Sequence, residues 1–475
     1  MNTTVQTMTQ QPISSLQILQ KEFVILKLGG KHGVIKLDEL DWCPGMKSAP
    51  SLIIYYGKDV QIALTRRLET LPFNSKPDQV IRDFWNSPST KVYSRLAFSP
   101  NREPTDTLNL WIGETIIPKF GSWETIQLFL HSVICSSDNA AYEYLINFLA
   151  HMLQKPEEKP GVMIVLLGGE GIGKGTIEQI LRKIFAATTL LVSDVDSVVG
   201  RFNACLERAY AVFMDEALFH GDMKSTERLK SFVTSQFIRI EEKIQPKRSI
   251  ESFHRFFAAS NSKHFAHVDY DNRRMFFLKV SEIYKDNREY WKNLYAAING
   301  EEVAAMVDDL LSIDLKNFVV RDRPESKELL VQKIESLPPI EKFWFDALYR
   351  GEKSSVGHYG VNYEPWIIGS FWKTNKFLES FKLFSKLSQR YDSTTAQNVH
   401  DTLTKICPSI KKKRRSYSGD RAWGYDLPLI ETARKEFEQY LGGTAIDWPE
   451  LSEEDDLGRT EIDLPELMEE VDQDD

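Results

Sequence analysis

Val162-Met163-Ile164-Val165-Leu166-Leu167 runs without interruption into Gly168-Gly169-Glu170-Gly171-Ile172-Gly173-Lys174-Gly175-Thr176. Six apolar residues bounded by a glycine-rich turn describe a short strand buried on both faces, as in a parallel sheet. After Thr176 the apolar residues Ile177, Ile180, Leu181 and Ile184 return at helical spacing. Strand, glycine-rich loop, lysine and helix together form the context of a phosphate loop. Its glycines let backbone N–H groups curl around phosphate oxygens, and the helix N-terminus adds its positive dipole end. Lys174 is the residue expected to hold the β- and γ-phosphates of ATP. The next position, normally Ser or Thr for Mg²⁺, is Gly175, so Thr176 is the expected substitute.

About 40 residues further on, Ala211-Val212-Phe213-Met214 is a second apolar strand, ending in Asp215-Glu216. At such a strand end an Asp organises Mg²⁺ and a Glu polarises the attacking water. Phe253 to Ala259 forms a third strand, ending in Ser260-Asn261, where Asn261 is placed to hydrogen-bond a γ-phosphate or the lytic water. Asp271-Asn272-Arg273-Arg274 then precedes the strand Met275 to Val280. Either Arg273 or Arg274 has the position from which an arginine reaches a neighbouring subunit's nucleotide.

The loop itself resembles that of adenylate kinases. The order of the later elements resembles instead the superfamily 3 helicases of the AAA+ class, and most of all the helicase domain of phage and plasmid primase-polymerases, within the group that includes poxvirus primase-helicases. The carrying phrases are Leu108-Asn109-Leu110-Trp111-Ile112-Gly113, Gly200-Arg201-Phe202-Asn203, Leu229 to Ser235 and Asp271 to Arg274, so the likeness covers roughly residues 84–280. It implies an ATP-driven replicative DNA helicase that moves on single-stranded DNA as a hexameric ring, with ATP sites between subunits.

Ile238-Arg239-Ile240, the tip Glu241 to Pro246, and Lys247-Arg248-Ser249 read as a β-hairpin with basic residues. By the resemblance, such a hairpin enters the ring channel, with Lys243 gripping the DNA backbone and Lys247 and Arg248 beside it. Phosphate contacts carry no sequence information, which suits a motor that tracks any strand. Lys411-Lys412-Lys413-Arg414-Arg415, the densest basic run, lies between the helical pattern Val399 to Ile406 and a strand at Ala422 to Leu427. Helix, basic turn and strand fit a winged-helix-like domain binding forked or duplex DNA; a solvated basic loop and a nuclear-targeting string fit the same residues.

The expected architecture is an α/β AAA+ P-loop motor, a parallel sheet with flanking helices, at 158–315. A small β-rich module occupies 1–83, with strands at Glu22 to Leu37 and Ser51 to Leu64. An extended segment and a helical collar of two helices, broken at Ser136 to Asn139, fill 84–157. A winged-helix-like C-terminal domain covers 316–446, and an acidic, disordered tail 447–475. The formal charge of −9 is deceptive: residues 449–475 carry 13 acidic residues against Arg459 alone, which leaves the remainder at +3. No signal peptide or apolar run of membrane-spanning length stands out, so a cytoplasmic protein is expected. Cys43, Cys135, Cys205 and Cys407 are scattered without a CxxC pair and read as buried thiols. The DxD strings Asp194-Val195-Asp196 and Asp269-Tyr270-Asp271 fall within the motor, and too few residues precede it for a polymerase domain, so a separate primase or polymerase is the expected partner. His264 and His267 read as loop residues. The competing function is a DNA- or protein-binding ATPase scaffold, an initiator or defence assembly, that does not unwind; the full set of hydrolysis residues favours the helicase.

Overall fold

The structure, a computed structural model, describes residues 14–28, 30–39, 53–72, 76–216, 223–241, 247–261, 265, 272–357, 360–387, 394–417 and 420–450. Lys243, Asp269, Asp271, His264, His267, Cys43 and residues 451–475 lie outside them. The described residues group into two compact units. One draws on 1–217, 227–260 and 279–322, the other on 218–226, 261–278 and 323–475. Among the described residues no helix is long and apolar enough to cross a membrane.

In the first unit, α1 (Ser15–Glu22) leads into β1 (Phe23–Leu28) and β2 (Lys31–Lys36), followed by β3 (Tyr55–Tyr56), α2 (Lys58–Glu69), α3 (Pro77–Asn86) and β4 (Val92–Tyr93). The strands lie in the order β3-β2-β1-β4. The β-rich expectation needs correction here: within the described part of the second expected strand only Tyr55 and Tyr56 form a strand, and from Lys58 onward the chain is α2. Val60, Leu64 and Leu68 are buried at a spacing of four, which fits a helix and not an alternating strand. A two-stranded ladder of β5 (Arg95–Ala97) and β6 (Thr107–Asn109) follows. Next come α4 (Glu124–Leu128), a π-helical stretch Phe129–Ile134, and α5 (Asn139–Gln154). The break between the helices falls at Ser136 and Ser137, both with left-handed φ, and Asp138 caps α5 by accepting from Ala141 N.

The central sheet is built from β7 (Met163–Leu167), which feeds α6 (Thr176–Phe185), then β8 (Thr189–Val192), the short α7 (Asp196–Val199) and β9 (Ala211–Met214). After α8 (Met223–Thr234), the hairpin β10 (Phe237–Ile240) and β11 (Arg248–Glu251) precedes β12 (Arg255–Ser260) and β13 (Met275–Lys279). The strand order is β13-β7-β12-β9-β8. The pairs β7–β12, β12–β9 and β9–β8 are parallel, and every residue of β7, β9 and β12 is buried. Two helices, α9 (Arg288–Asn299) and α10 (Glu302–Ser312), close the unit.

The second unit carries α11 (Lys327–Glu335), α12 (Pro339–Arg350), the hairpin β14 (Glu352–Gly357) and β15 (Gly360–Pro365), β16 (Phe371–Lys373), α13 (Thr374–Leu387), α14 (Ala396–Ile406), β17 (Lys411–Tyr417), β18 (Asp420–Asp426) and α15 (Ile430–Tyr440). Two expectations change. The basic run 411–415 is not a turn but the body of β17, paired antiparallel with β18 in a sheet ordered β16-β18-β17. The tail does not begin at 447: Trp448 stacks toward Phe345, lies over the Arg434 guanidinium and donates its indole N–H to Glu438, 2.9 Å away. Buried Trp344, Phe377, Phe381, Val399, Leu403 and Phe437 form the core. Of the thiols, Cys135 and Cys407 are buried as expected, whereas Cys205 is exposed.

At the amino edge of the central sheet sits a buried cationic cluster. Arg255, fully buried, donates to Phe253 O and Lys155 O and lies over the Tyr210 ring. His254 donates from Nε2 to Leu206 O and accepts at Nδ1 from Ser252. Burial and the neighbouring Lys159 push His254 down to about 3; burial and Arg255 push His151 down to about 4. Both therefore stay neutral in the fold at pH values where an unfolded histidine, with a pKa of about 6.5, takes up a proton. The unfolded chain binds more protons below that point, so stability falls as pH falls. We expect acid to cost about 2 kcal/mol for each of these histidines between neutral pH and pH 5. Denaturant unfolding at pH 7 and pH 5 measures the slope, and His254→Gln, which keeps a donor for Leu206, flattens it; an identical slope in the variant excludes this origin.

Candidate functional site

The ladders bring the carboxyl ends of four parallel strands to one edge, those of β7 and β12 opposite each other and those of β9 and β8 two residues short of them. Ser260 pairs with Leu167, Ala258 with Met214, and Val192 with Met214. The residues that follow these ends therefore emerge along one edge of the sheet. From β7 the chain enters the glycine-rich loop 168–176, whose turn depends on glycine. Gly168 has φ +148 and its missing Cβ would lie 2.5 Å from the Ile172 side chain; Gly173 has φ +97 and a Cβ there would lie 2.3 Å from Trp291. The loop is closed by Gly168 N donating to Ser260 O and Thr176 N donating to Gly173 O.

Lys174 is largely buried beneath this loop, its ammonium donating to Gly168 O and Gly169 O at 2.5 Å each. Burial lowers its pKa, and the carboxylates of Asp215, Glu170, Glu216 and Glu282 act on it in the opposite sense. The two acids expected at the end of β9 thus belong to the electrostatic surroundings of the loop lysine. Asp215 N donates to Val192 O, and Glu216 N donates to the Asp215 carboxylate at 3.1 Å. Glu216 has φ +52, a left-handed backbone unusual for a residue with a side chain.

Gly175 and Thr176 face opposite ways. Gly175 is exposed, with ordinary helical φ of −68, whereas Thr176 is 2% exposed and shares the buried stripe of α6 with Ile180 and Ile184. Asn261 is exposed and follows Ser260 at the end of β12. Arg273 and Arg274, both exposed, belong to the second unit, where Arg274 N donates to the Asn272 side chain and Arg323 donates to Asn272 O.

The expected hairpin is present as β10 and β11, with Ile240 opposite Arg248. Of its described cations, Lys247 and Arg248 are already paired, whereas Arg239 on β10 is exposed. Arg248 makes a two-pronged ion pair with Glu207, at 2.5 Å for each contact. Lys247 holds Glu241 at 2.5 Å, and Arg201 holds the same carboxylate at 2.6 Å. Asn203, within the phrase Gly200-Arg201-Phe202-Asn203, has no role legible in the sequence. It is fully buried, donates to Arg239 O and accepts from Glu241 N, pinning the ladder's last rung. An Asn inside the phrase Gly200-Arg201-Phe202-Asn203 was the only signal, and it does not name its partner strand.

On β17 the five cations divide by partner. Lys413 and Arg415 both pair with Asp426, at 3.0 and 2.6 Å. Burial pushes the Asp426 carboxyl up, but Arg415 and Lys413 outweigh it and hold it below the usual range. Lys411, Lys412 and Arg414 have no side-chain partner among the described residues. Arg414 lies opposite Trp423, whose ring is 55% exposed.

A model described as a family of unknown function, DUF5906, matches residues 166–274, from the end of β7 to the start of β13. The DNA primase-polymerase of Nitratiruptor phage NrS-1 is 25% identical over 200 residues, 40% of this chain and 27% of that protein. The chain thus matches only about a quarter of that relative's length. The apo structure of the NrS-1 C-terminal region has a TM-score of 0.60 at 16% identity, covering 88% of this chain and 100% of that one. An A-form apo structure of the same region gives 0.59 at 15% identity, with 87% and 99% covered. At these identities the likeness is one of fold: the chain shares a mixed α/β architecture, a parallel sheet with helices, with the C-terminal region of NrS-1.

Proposed function

We propose that the chain is an ATP-hydrolysing, ring-forming DNA helicase of the superfamily 3, AAA+ type, serving replication in a phage or mobile element. The observation that carries this reading is Lys174 set beneath a glycine loop, with Asp215 and Glu216 in its electrostatic surroundings. That arrangement suits a polyphosphate. Loop N–H groups and Lys174 neutralise the phosphates, while Glu216 at the strand tip orients the attacking water. The strand order β13-β7-β12-β9-β8 supports the AAA+ assignment. The likeness to a phage primase-polymerase supports a replicative setting. Arg273 or Arg274 would serve the site of a neighbouring copy in a hexamer, and Asn261 the γ-phosphate or the water. Magnesium fits less well: Asp215 stands at the carboxyl edge, but the exposed loop position beside Lys174 carries no hydroxyl.

In the second unit, helix α12, strand β16, helices α13 and α14, and strands β17 and β18 in a β16-β18-β17 sheet support a winged-helix reading, with β17–β18 as the wing. DNA would then meet Arg414 and Lys412 on the face that carries Trp423, with the unpaired Lys411 on the opposite face.

Two experiments test these roles. ATP turnover is expected to rise with single-stranded DNA, to fall roughly a hundredfold or more in Lys174→Ala, and to lose its response to DNA in Lys243→Ala. Turnover indifferent to DNA in the wild type would favour the non-unwinding ATPase scaffold. For the wing, Arg414→Ala is expected to reduce the salt slope of forked-DNA binding by about 0.9, and Trp423→Ala to weaken it several-fold. Lys413→Ala, whose ammonium shares the single Asp426 carboxylate with Arg415, should cost less than Arg414→Ala; equal losses at 413 and 414 would remove the division between the two sets.

A further inference from the structure

Resting on the nucleotide-site reading, we propose that this phosphate loop gives Mg²⁺ no side-chain hydroxyl, so that nucleotide binding depends only weakly on the cation. Magnesium requires near-ideal octahedral geometry and takes one or two protein oxygens beside phosphates and water. In phosphate loops one such oxygen is the Ser or Thr hydroxyl following the lysine. Here that position is Gly175, and the neighbouring hydroxyl does not replace it.

Three observations carry this. Gly175 is the exposed residue at the start of α6, while Thr176 is 2% exposed. Thr176 lies one and two turns before Ile180 and Ile184, both buried, so its side chain belongs to the stripe that packs into the unit and not to the open side of the loop. Finally, glycine at 175 answers no steric demand. Its φ is −68, and a Cβ built there meets nothing within 4 Å. This contrasts with Gly168 and Gly173, where a Cβ would collide with Ile172 and Trp291. The fold therefore accepts a hydroxyl-bearing residue at 175 that this sequence does not supply. The cation would be held through phosphate oxygens, water and Asp215, while Lys174 carries the direct neutralisation of the phosphates.

The test measures binding of the fluorescent nucleotide mant-ATP by the full chain, in EDTA and in excess MgCl₂. In the wild type the two dissociation constants are expected to differ by less than about threefold. In Gly175→Ser, Mg²⁺ is expected to tighten binding by about tenfold, the scale of one added direct interaction. Thr176→Val, nearly isosteric in the buried stripe, is expected to keep the wild-type ratio, with thermal unfolding as the check on folding. A strong Mg²⁺ dependence in the wild type that Thr176→Val abolishes would overturn the proposal and make Thr176 the ligand. Strong dependence equal in the wild type and Gly175→Ser would also overturn it. If mant-ATP binds no better to the wild type than to Lys174→Ala in either buffer, the nucleotide-site reading itself falls, which is a different result from a wrong metal ligand.

Discussion

Everything assembled at the carboxyl edge of the central sheet depends on the register of the parallel ladders. Ser260 stands opposite Leu167, and Met214 opposite both Ala258 and Val192, because backbone N–H and C=O groups of neighbouring strands must pair throughout a sheet whose three inner strands are wholly buried. A shift of one residue in β9 would leave ladder groups unpaired in an apolar interior. It would also send Asp215 to the opposite face. The acids are thus kept within the electrostatic surroundings of Lys174 by hydrogen bonds several residues away.

Much of that edge could be read from the sequence because each component is local. An unbroken apolar run bounded by glycines, as at 162–168, or by acids, as at 211–216, has few other solutions in a water-soluble fold. What could not be read depends on residues distant in the chain. Ile53 and Ile54 bias the N-terminal module toward strand, but from Lys58 the chain is helix, with Val60, Leu64 and Leu68 packed in one core with Phe23 and Phe84. Five consecutive cations at 411–415 show no alternation of apolar and polar residues, so nothing marks a strand. It exists because β18 supplies a ladder of seven pairs, including buried Tyr425 opposite Lys412.

The same distance effect separates net charge from available charge. Counting lysines and arginines treats the β10–β11 hairpin and β17 as equally basic. The structure distributes them unequally: Arg248 and Lys247 are each held by a carboxylate, and Asp426 alone takes up Lys413 and Arg415. A pair whose members sit close together contributes little to the field a polyanion feels at a Debye length of about 8 Å. Exposed and unpaired cations such as Lys411 and Arg414 dominate it instead.

The pinning of the hairpin has a mechanical consequence. Ile240 and Arg248 form the last rung, and the segment 201–207 grips it through Arg201, buried Asn203 and Glu207. That segment runs within a few residues into β9, whose far end, Met214, is followed by Asp215. A load applied to the described rungs of the hairpin therefore reaches the acids near Lys174 largely through paired groups. It passes through hydrogen bonds and ion pairs into a strand clamped on both sides, so the stiffness of the sheet becomes the stiffness of the linkage.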